Sequence, residues 1–286
     1  MKRIIWLLAL LIAAVACKNS GSHDFDEASA DPDVLKVMTF NVRYGSANDG
    51  DNAWKNRRKA AVEMILDQHP AVFGVQEALD FQLKYIASNT GYKHKGVGRE
   101  DGKNSGEHMS VFYDPRRIEL IQWGTYWLSE TPDEPSLGWD AACKRTATWT
   151  LLKDRLSGRE FFFVNTHLDH VGVEARRKGL ALVVDRIGKM NPDGWPMILC
   201  GDFNVYPDDS CLTDLRGMMT DAWTSAAEAD DGPTWHDWGR ITEGDHIDYI
   251  FYKGFKSCSG IRRITSPYGN TQYVSDHYPV VAELEW

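Results

Sequence analysis

The feature that most constrains this chain is a succession of short apolar runs, rich in Val, Ile, Phe and Trp, each broken by polar residues or turn signals. They cover Leu35 to Val42, Ala71 to Val75, Met109 to Tyr113, Thr146 to Leu152, Phe161 to Val164, Met197 to Cys200, Ile247 to Tyr252 and Val280 to Leu284. Runs of this length and composition read as strands, so the core is dominated by sheet. Two longer segments switch to helical spacing. Ala61 and Ile65 mark a helix over Arg57 to Gln68, and Leu180, Val183, Ile187 and Met190 mark another over Val173 to Met190. A Ser-Gly turn signal within Asp154 to Gly158 predicts a hairpin, so antiparallel pairing mixes with helices. No repeat of solenoid or propeller period is present. The chain has 286 residues, 43% of them hydrophobic, which suits one large domain better than two small ones.

Polar residues that would be costly inside a core gather at the downstream tips of these runs. They are Asn41 after MTF, Glu77 after VFGVQ, His167 after FFFVNT, Asp202 and Asn204 after ILCG, Asp248 after HI, and Asp276 with His277 before YPVV. One such residue could be a hydrogen-bonded core group, but a whole set of carboxylates, amides and imidazoles reads as a site. It offers hard oxygen ligands for Mg²⁺, with Mn²⁺ as a substitute, imidazoles that can donate to phosphate, and an Asp/Asn pair able to orient water. Thiolate clusters, an exposed-Ser nucleophile elbow and a Walker glycine loop are absent from the sequence.

The formal charge is −9, or −11 once Lys2 and Arg3 are set aside with residues 1–16. That balance opposes nonspecific grip on long nucleic acid, which rests on clustered Lys and Arg. Residues 1–16 read as a signal peptide, with a basic start and an apolar run from Ile4 to Ala16 too short to span a bilayer comfortably. Ala14-Val15-Ala16-Cys17 resembles the bacterial lipoprotein cleavage box, which implies export and membrane attachment through lipid on Cys17; free secretion is the alternative. Residues 17–33 are acidic and poor in large apolar side chains, as in a flexible tether. The folded domain is expected over residues 34–286. Cys143, Cys200, Cys211 and Cys258 lack zinc-finger spacing, no disulfide is expected, and Cys200 is expected to be a buried thiol.

In order and spacing, MTFNVR, VQEAL, NTHLDH, GDFN, HIDYIF and SDHYPV resemble the endonuclease/exonuclease/phosphatase superfamily over about residues 34–286. The resemblance implies an α/β (α+β) fold, a four-layered α/β/β/α sandwich of two mixed sheets packed face to face with outer helices. It implies a divalent-metal-dependent phosphoesterase that hydrolyses a phosphate monoester or diester by direct water attack. Asn41, Glu77 and Asp276 match the metal-proximal positions. Asp202 and Asn204 match the pair that positions and deprotonates water, and His277, oriented by Asp248, matches the imidazole on the scissile phosphate. His167 is expected to pair with Glu107, the carboxylate raising the histidine pKa, and Arg145 matches a basic residue near the substrate phosphate. His170 reads as a local hydrogen bonder.

The acidic chain favours a small or membrane-presented phosphoester substrate over duplex DNA. A secreted nuclease is the alternative, and a catalytically silent binding module on the same fold is a weaker one. Trp123, Trp127, Trp139, Trp235 and Trp238 could wall a cleft but read more simply as packing residues. The stretch from Trp127 to Arg145 reads as a loop over the site.

Overall fold

The computed structural model describes residues 31–286; the expected leader and the tether up to residue 30 lie outside the described residues. Among the described residues, thirteen strands form two mixed sheets. The first sheet contains β1 (Val34–Asn41), β2 (Val72–Gln76), β3 (Lys93–Lys95), β4 (Val111–Tyr113), β10 (Glu228–Ala229), β12 (Ser257–Arg263) and β13 (Val280–Glu285), in the order β10-β12-β13-β1-β2-β4-β3. The second contains β5 (Ile118–Trp127), β6 (Thr146–Asp154), β7 (Glu160–His167), β8 (Met197–Asp202), β9 (Thr220–Asp221) and β11 (Asp248–Lys253), in the order β5-β6-β7-β8-β11-β9. β1 and β2 are parallel, as are β7 and β8, while β13 and β11 run antiparallel to β1 and β8.

Three apolar clusters correspond to the three interfaces of a four-layered sandwich. Leu35, Val37, Val72, Phe161, Phe163, Ile198 and Ile250 fill the space between the sheets. Met38, Phe40, Phe73 and Val75 face the other way, against Ala61, Met64 and Ile65 of α1 (Trp54–Gln68) and Leu83 and Ile86 of α2 (Asp80–Thr90). Phe162, Val164, Leu199 and Phe251 similarly meet Leu180, Val183 and Ile187 of α3 (Val173–Met190) and Leu215 of α4 (Thr213–Met218). The alternation required by the strand period assigns each neighbouring residue to a different interface. Both expected helices are present, the first starting at Trp54, and the expected hairpin joins β6 to β7. Cys200 is fully buried, and the thiols of Cys143, Cys200, Cys211 and Cys258 are free. No helix among the described residues is long and apolar enough to cross a membrane.

The same alternation leads from the core to a polar opening. Along β1 the inward series Leu35 and Val37 continues as Thr39 and Asn41; along β7, Phe161 and Phe163 continue as Asn165 and His167; along β8, Ile198 and Cys200 end at Asp202. Halfway, a buried layer closes over the apolar core. Gln76 Nε2 donates to Asn165 Oδ1 at 2.7 Å and to Thr39 Oγ1 at 3.0 Å, and Asn165 Nδ2 reaches the carbonyls of Val75 and Ser110. The sheets come so close there that a Cβ on Gly74 would lie 2.6 Å from Asn165 Oδ1 and 2.8 Å from Cys200 Sγ. Beyond this layer the intersheet space opens as a cleft.

Candidate active site

Strand direction explains why distant residues meet at one edge. β1, β2, β7 and β8 deliver Asn41, Glu77, His167 and Asp202 at or just beyond their C-terminal ends. The antiparallel strands β4, β6, β11 and β13 contribute from their N-terminal ends, bringing Glu107, Arg145, Asp248, Asp276 and His277 to the same edge. Asp248 thus opens its strand, facing Asp202 in the β8–β11 register, whereas the sequence reading put it at a downstream tip. Three non-glycine residues here, Arg43, Glu77 and Asn204, have left-handed φ of 61°, 60° and 52°. Such backbone costs energy and persists where surrounding contacts enforce it.

Asp202 is the hub. Its Oδ1 accepts the backbone N–H of Asn204 at 3.0 Å, an Asx turn that directs Oδ2 toward the cleft. Gly201, at φ 151°, has its Cα against the Thr166 carbonyl of β7, which leaves no room for a side chain. Oδ2 of Asp202 accepts Asn41 Nδ2 at 3.0 Å and lies 3.5 Å from His167 Nε2 and 3.8 Å from His277 Nε2. Asn41 Nδ2 also reaches Glu77 Oε1 at 3.1 Å, while Glu77 Oε2 accepts the Tyr44 N–H at 2.8 Å. Burial, then the nearby Asp248, pushes the Asp202 carboxyl up to about 7.

The two imidazoles differ. Burial opposes charge on His277, but Asp248, whose Oδ2 is 2.9 Å from Nδ1, and then Asp202 outweigh it and raise the pKa to about 10. His277 is therefore an imidazolium, with Nε2 directed at the hub. His167 runs the opposite way: burial, then the cations Arg145 and Arg99, lower its pKa well below the usual value. Its Nε2 meets the Asn204 amide Nδ2 at 3.0 Å, as a neutral ring accepting a hydrogen bond would. The expected His167–Glu107 pair does not form, because Glu107 Oε2 is 2.8 Å from Arg99 Nη1. An arginine from the β3–β4 loop has captured the carboxylate, and the expected rise in histidine pKa is replaced by a fall.

Hard oxygens dominate the donor set. Ligand atoms of Glu77, His167 and Asp202 lie within 4.8 Å of one another, a set suited to a divalent cation, while Asn41 orients both acids from Nδ2 and its Oδ1 accepts the Arg43 N–H at 3.0 Å instead of facing the set as expected. Asp276 lines the same cleft, but its Oδ2 faces Arg43 at 3.6 Å and it joins none of the three-ligand groups among the described residues. Arg145, only 4% exposed, enters from the loop before β6. Its Nε meets Asp169 Oδ2 at 3.3 Å, and its Nη2 meets His170 Nδ1 at 2.9 Å. Cys143, Asp169 and His170 also lie within ligand distance of each other. Asp169 is already satisfied by Arg145 and by backbone N–H groups of Ala142, Val171 and Gly172, so this trio positions Arg145.

The Trp127–Arg145 loop does border the cleft, through Cys143 and Arg145. Sequence reasoning passed over Arg43, Tyr44 and Arg99, and treated Trp235 as packing, yet all four line it. It also missed Arg57. That side chain is 1% exposed and donates from Nη1 to the carbonyls of Val42 and Val274, each at 2.8 Å, tying the exit of β1 to the loop that carries Asp276 and His277. A buried arginine on an amphipathic helix leaves no local signal in the sequence.

Two sheets stacked between helices bring carboxylates, amides and imidazoles together at their common open edge. The family model described as the endonuclease/exonuclease/phosphatase family matches residues 38–277, and the chain belongs to that family. The chain is 34% identical to the endonuclease/exonuclease/phosphatase of Bacteroides vulgatus, whose crystal structure superposes with a TM-score of 0.83 over 88% of this chain and 98% of that one. A mannosyl-6-phosphatase of Bacteroides thetaiotaomicron is 31% identical, with a TM-score of 0.85 over 88% of this chain and all of its own. Among curated proteins, an uncharacterized protein of Acanthamoeba polyphaga mimivirus is 26% identical over 88% of this chain and 100% of its own length.

Proposed function

We propose that the protein hydrolyses a small phosphate ester with a divalent cation, Mg²⁺ or Mn²⁺, by direct attack of water on phosphorus. The observation that carries this reading is Asp202, a buried carboxylate between the Asn41–Glu77 pair and two imidazoles of opposite protonation preference. Glu77, with Asp276 lining the same cleft, would hold the cation, and Asn41 orients Glu77 and Asp202 from Nδ2. Bound there, the cation would supply charge neutralisation to a phosphoryl oxygen.

The side chains account for the remaining chemistry. Asp202 Oδ2 takes the proton of the attacking water, and its pKa of about 7 suits a general base at neutral pH. The His277 imidazolium donates from Nε2 to the phosphate as negative charge accumulates, and Asp248 keeps the ring charged and oriented. Neutral His167 and Asn204 hold each other at the opposite side of Asp202, and Arg145 neutralises phosphate charge from the neighbouring loop. The cleft of about 530 Å³ suits a small substrate. The mannosyl-6-phosphatase at 31% identity supports a phosphomonoester of a sugar-sized alcohol, and the formal charge of −9 disfavours long duplex DNA.

The test is a panel of sugar phosphates, inositol phosphates, bis-nitrophenyl phosphate, sphingomyelin, RNA and single-stranded DNA, each with Mg²⁺, Mn²⁺ or chelator. Cation-dependent release of inorganic phosphate from small esters supports the reading. Turnover confined to nucleic acid would favour a nuclease instead.

A further inference from the structure

Two guanidinium groups line the cleft, and each has a buried N–H group that makes no hydrogen bond among the described residues. Arg145 uses Nε and Nη2 on Asp169 and His170, while its buried Nη1 has no hydrogen-bond partner. Arg99 comes from the other sheet's loop, between β3 and β4. Its Nη1 is held by Glu107 at 2.8 Å, and its buried Nε, 3.6 Å from Glu100 Oε1, makes no hydrogen bond among the described residues. Both arginines are braced from behind. The Arg99 carbonyl accepts Trp127 Nε1 at 2.7 Å, its N–H reaches the Glu107 carbonyl at 3.0 Å, and Asp169 is fixed by three backbone N–H groups. Orienting two cations this way and leaving donors unpaired is costly unless an anion accepts them.

Arg99 and Arg145 are the cleft cations whose charges act on His167, whereas Arg43 lies against Asp276. Glu77, Asp202 and Asp276 lie around Asn41 and His277, whereas Arg99 and Arg145 lie with Glu107 and Cys143. We infer that Arg99 and Arg145 form a two-armed clamp for the terminal oxygens of a phosphate dianion, which makes the site selective for phosphomonoesters over diesters. A monoester presents three terminal oxygens and nearly two charges at neutral pH, and planar guanidiniums on two walls match that display. A diester carries one charge, and its second ester group would have to displace the arginines or leave their donors buried and unpaired. The inference deepens the phosphoesterase reading and rests on it only for the identity of the substrate.

The clamp can be read without turnover. Inorganic phosphate is titrated calorimetrically into the full chain in the presence of chelator at about pH 8, where the dianion prevails. The wild type should bind saturably, and dimethyl phosphate should bind at least about tenfold more weakly. Arg99→Gln and Arg145→Lys should each weaken phosphate by about tenfold or more. Arg99→Lys retains the charge and provides a second variant should Arg99→Gln unfold. No binding of phosphate, equal binding of the two anions, or an Arg99→Gln variant that is folded and within about twofold of the wild type overturns the clamp. Parallel kinetics with nitrophenyl phosphate and bis-nitrophenyl phosphate separate the two ideas. Loss on the monoester alone supports the clamp, whereas a wild type that binds phosphate but turns over neither ester contradicts the hydrolase reading and leaves the clamp standing.

Discussion

His277 Nδ1 and Asp248 Oδ2 are 2.9 Å apart, both side chains are buried, and they come from the N-terminal side of strands in different sheets. The pair therefore spans the sandwich at its open edge. Asp248→Asn keeps the size of the side chain but removes the charge that outweighs the desolvation of the imidazolium. The turnover number on a phosphate ester should fall by about tenfold or more, with KM changed by less than about threefold, because the lost interaction acts on developing charge. Steady-state kinetics on the folded variant checks this; an equal rise in KM with unchanged kcat would assign the pair to substrate binding.

Arg57 joins the exit of β1 to the loop before β13 through carbonyls of Val42 and Val274. The guanidinium also donates from Nε to the Asn52 carbonyl and from Nη2 to the Arg43 carbonyl, and the single nitrogen of lysine cannot reach all four, so Arg57→Lys leaves carbonyls without a donor. A loss of about 2 kcal/mol or more in chemical denaturation is expected, together with reduced activity, because Asn41 and His277 sit on the two segments it joins.

Gly74 lies where the two sheets approach closely. Gly74→Ala forces a methyl group into Asn165 and Cys200, and overpacking of this kind costs about 1–3 kcal/mol. The melting temperature should fall. Unchanged stability would mean that the Gln76–Asn165 layer is freer to move than its four hydrogen bonds imply.

His94 and His246 are kept neutral mainly by burial, each with a pKa lowered to about 4. A histidine whose pKa is lower in the folded chain takes up its proton first in the unfolded chain, so acid favours unfolding. Their contribution is intact above about pH 6.5 and is lost as pH falls from there toward about 4. Denaturation midpoints across that window should decline, and the decline should be shallower in a His94→Leu, His246→Leu double variant. An identical slope would place the acid sensitivity elsewhere.

The site was legible in the sequence where a polar residue interrupts a strand run, since Asn41, Glu77, His167 and Asp202 follow apolar stretches that had to be buried. The order of the motifs then carried the family and the sandwich. Less visible were elements with weak patterns. α2 buries only Gln82, Leu83 and Ile86, β5 is a largely exposed edge strand with a register shift at Leu120/Gln122, and β12 is broken by a shift at Cys258/Gly260. Partnership was the least legible property. Glu107 and His167 do sit in one cleft, but Arg99, with nothing around it in the sequence to mark it, decides where the carboxylate goes. The opposite pKa directions of His167 and His277 likewise depend on burial and on charges contributed by distant segments.

The central claim is that Asp202 activates water for attack on a phosphate ester, and Asp202→Asn tests it most directly. Asparagine preserves the size of the side chain and can still accept the Asn204 N–H, but it cannot take a proton. With Mg²⁺ present and chemistry limiting the rate, kcat on a phosphomonoester should fall by about a hundredfold or more while the thermal midpoint changes little. A folded Asp202→Asn protein that retained more than about a tenth of wild-type turnover would contradict the account.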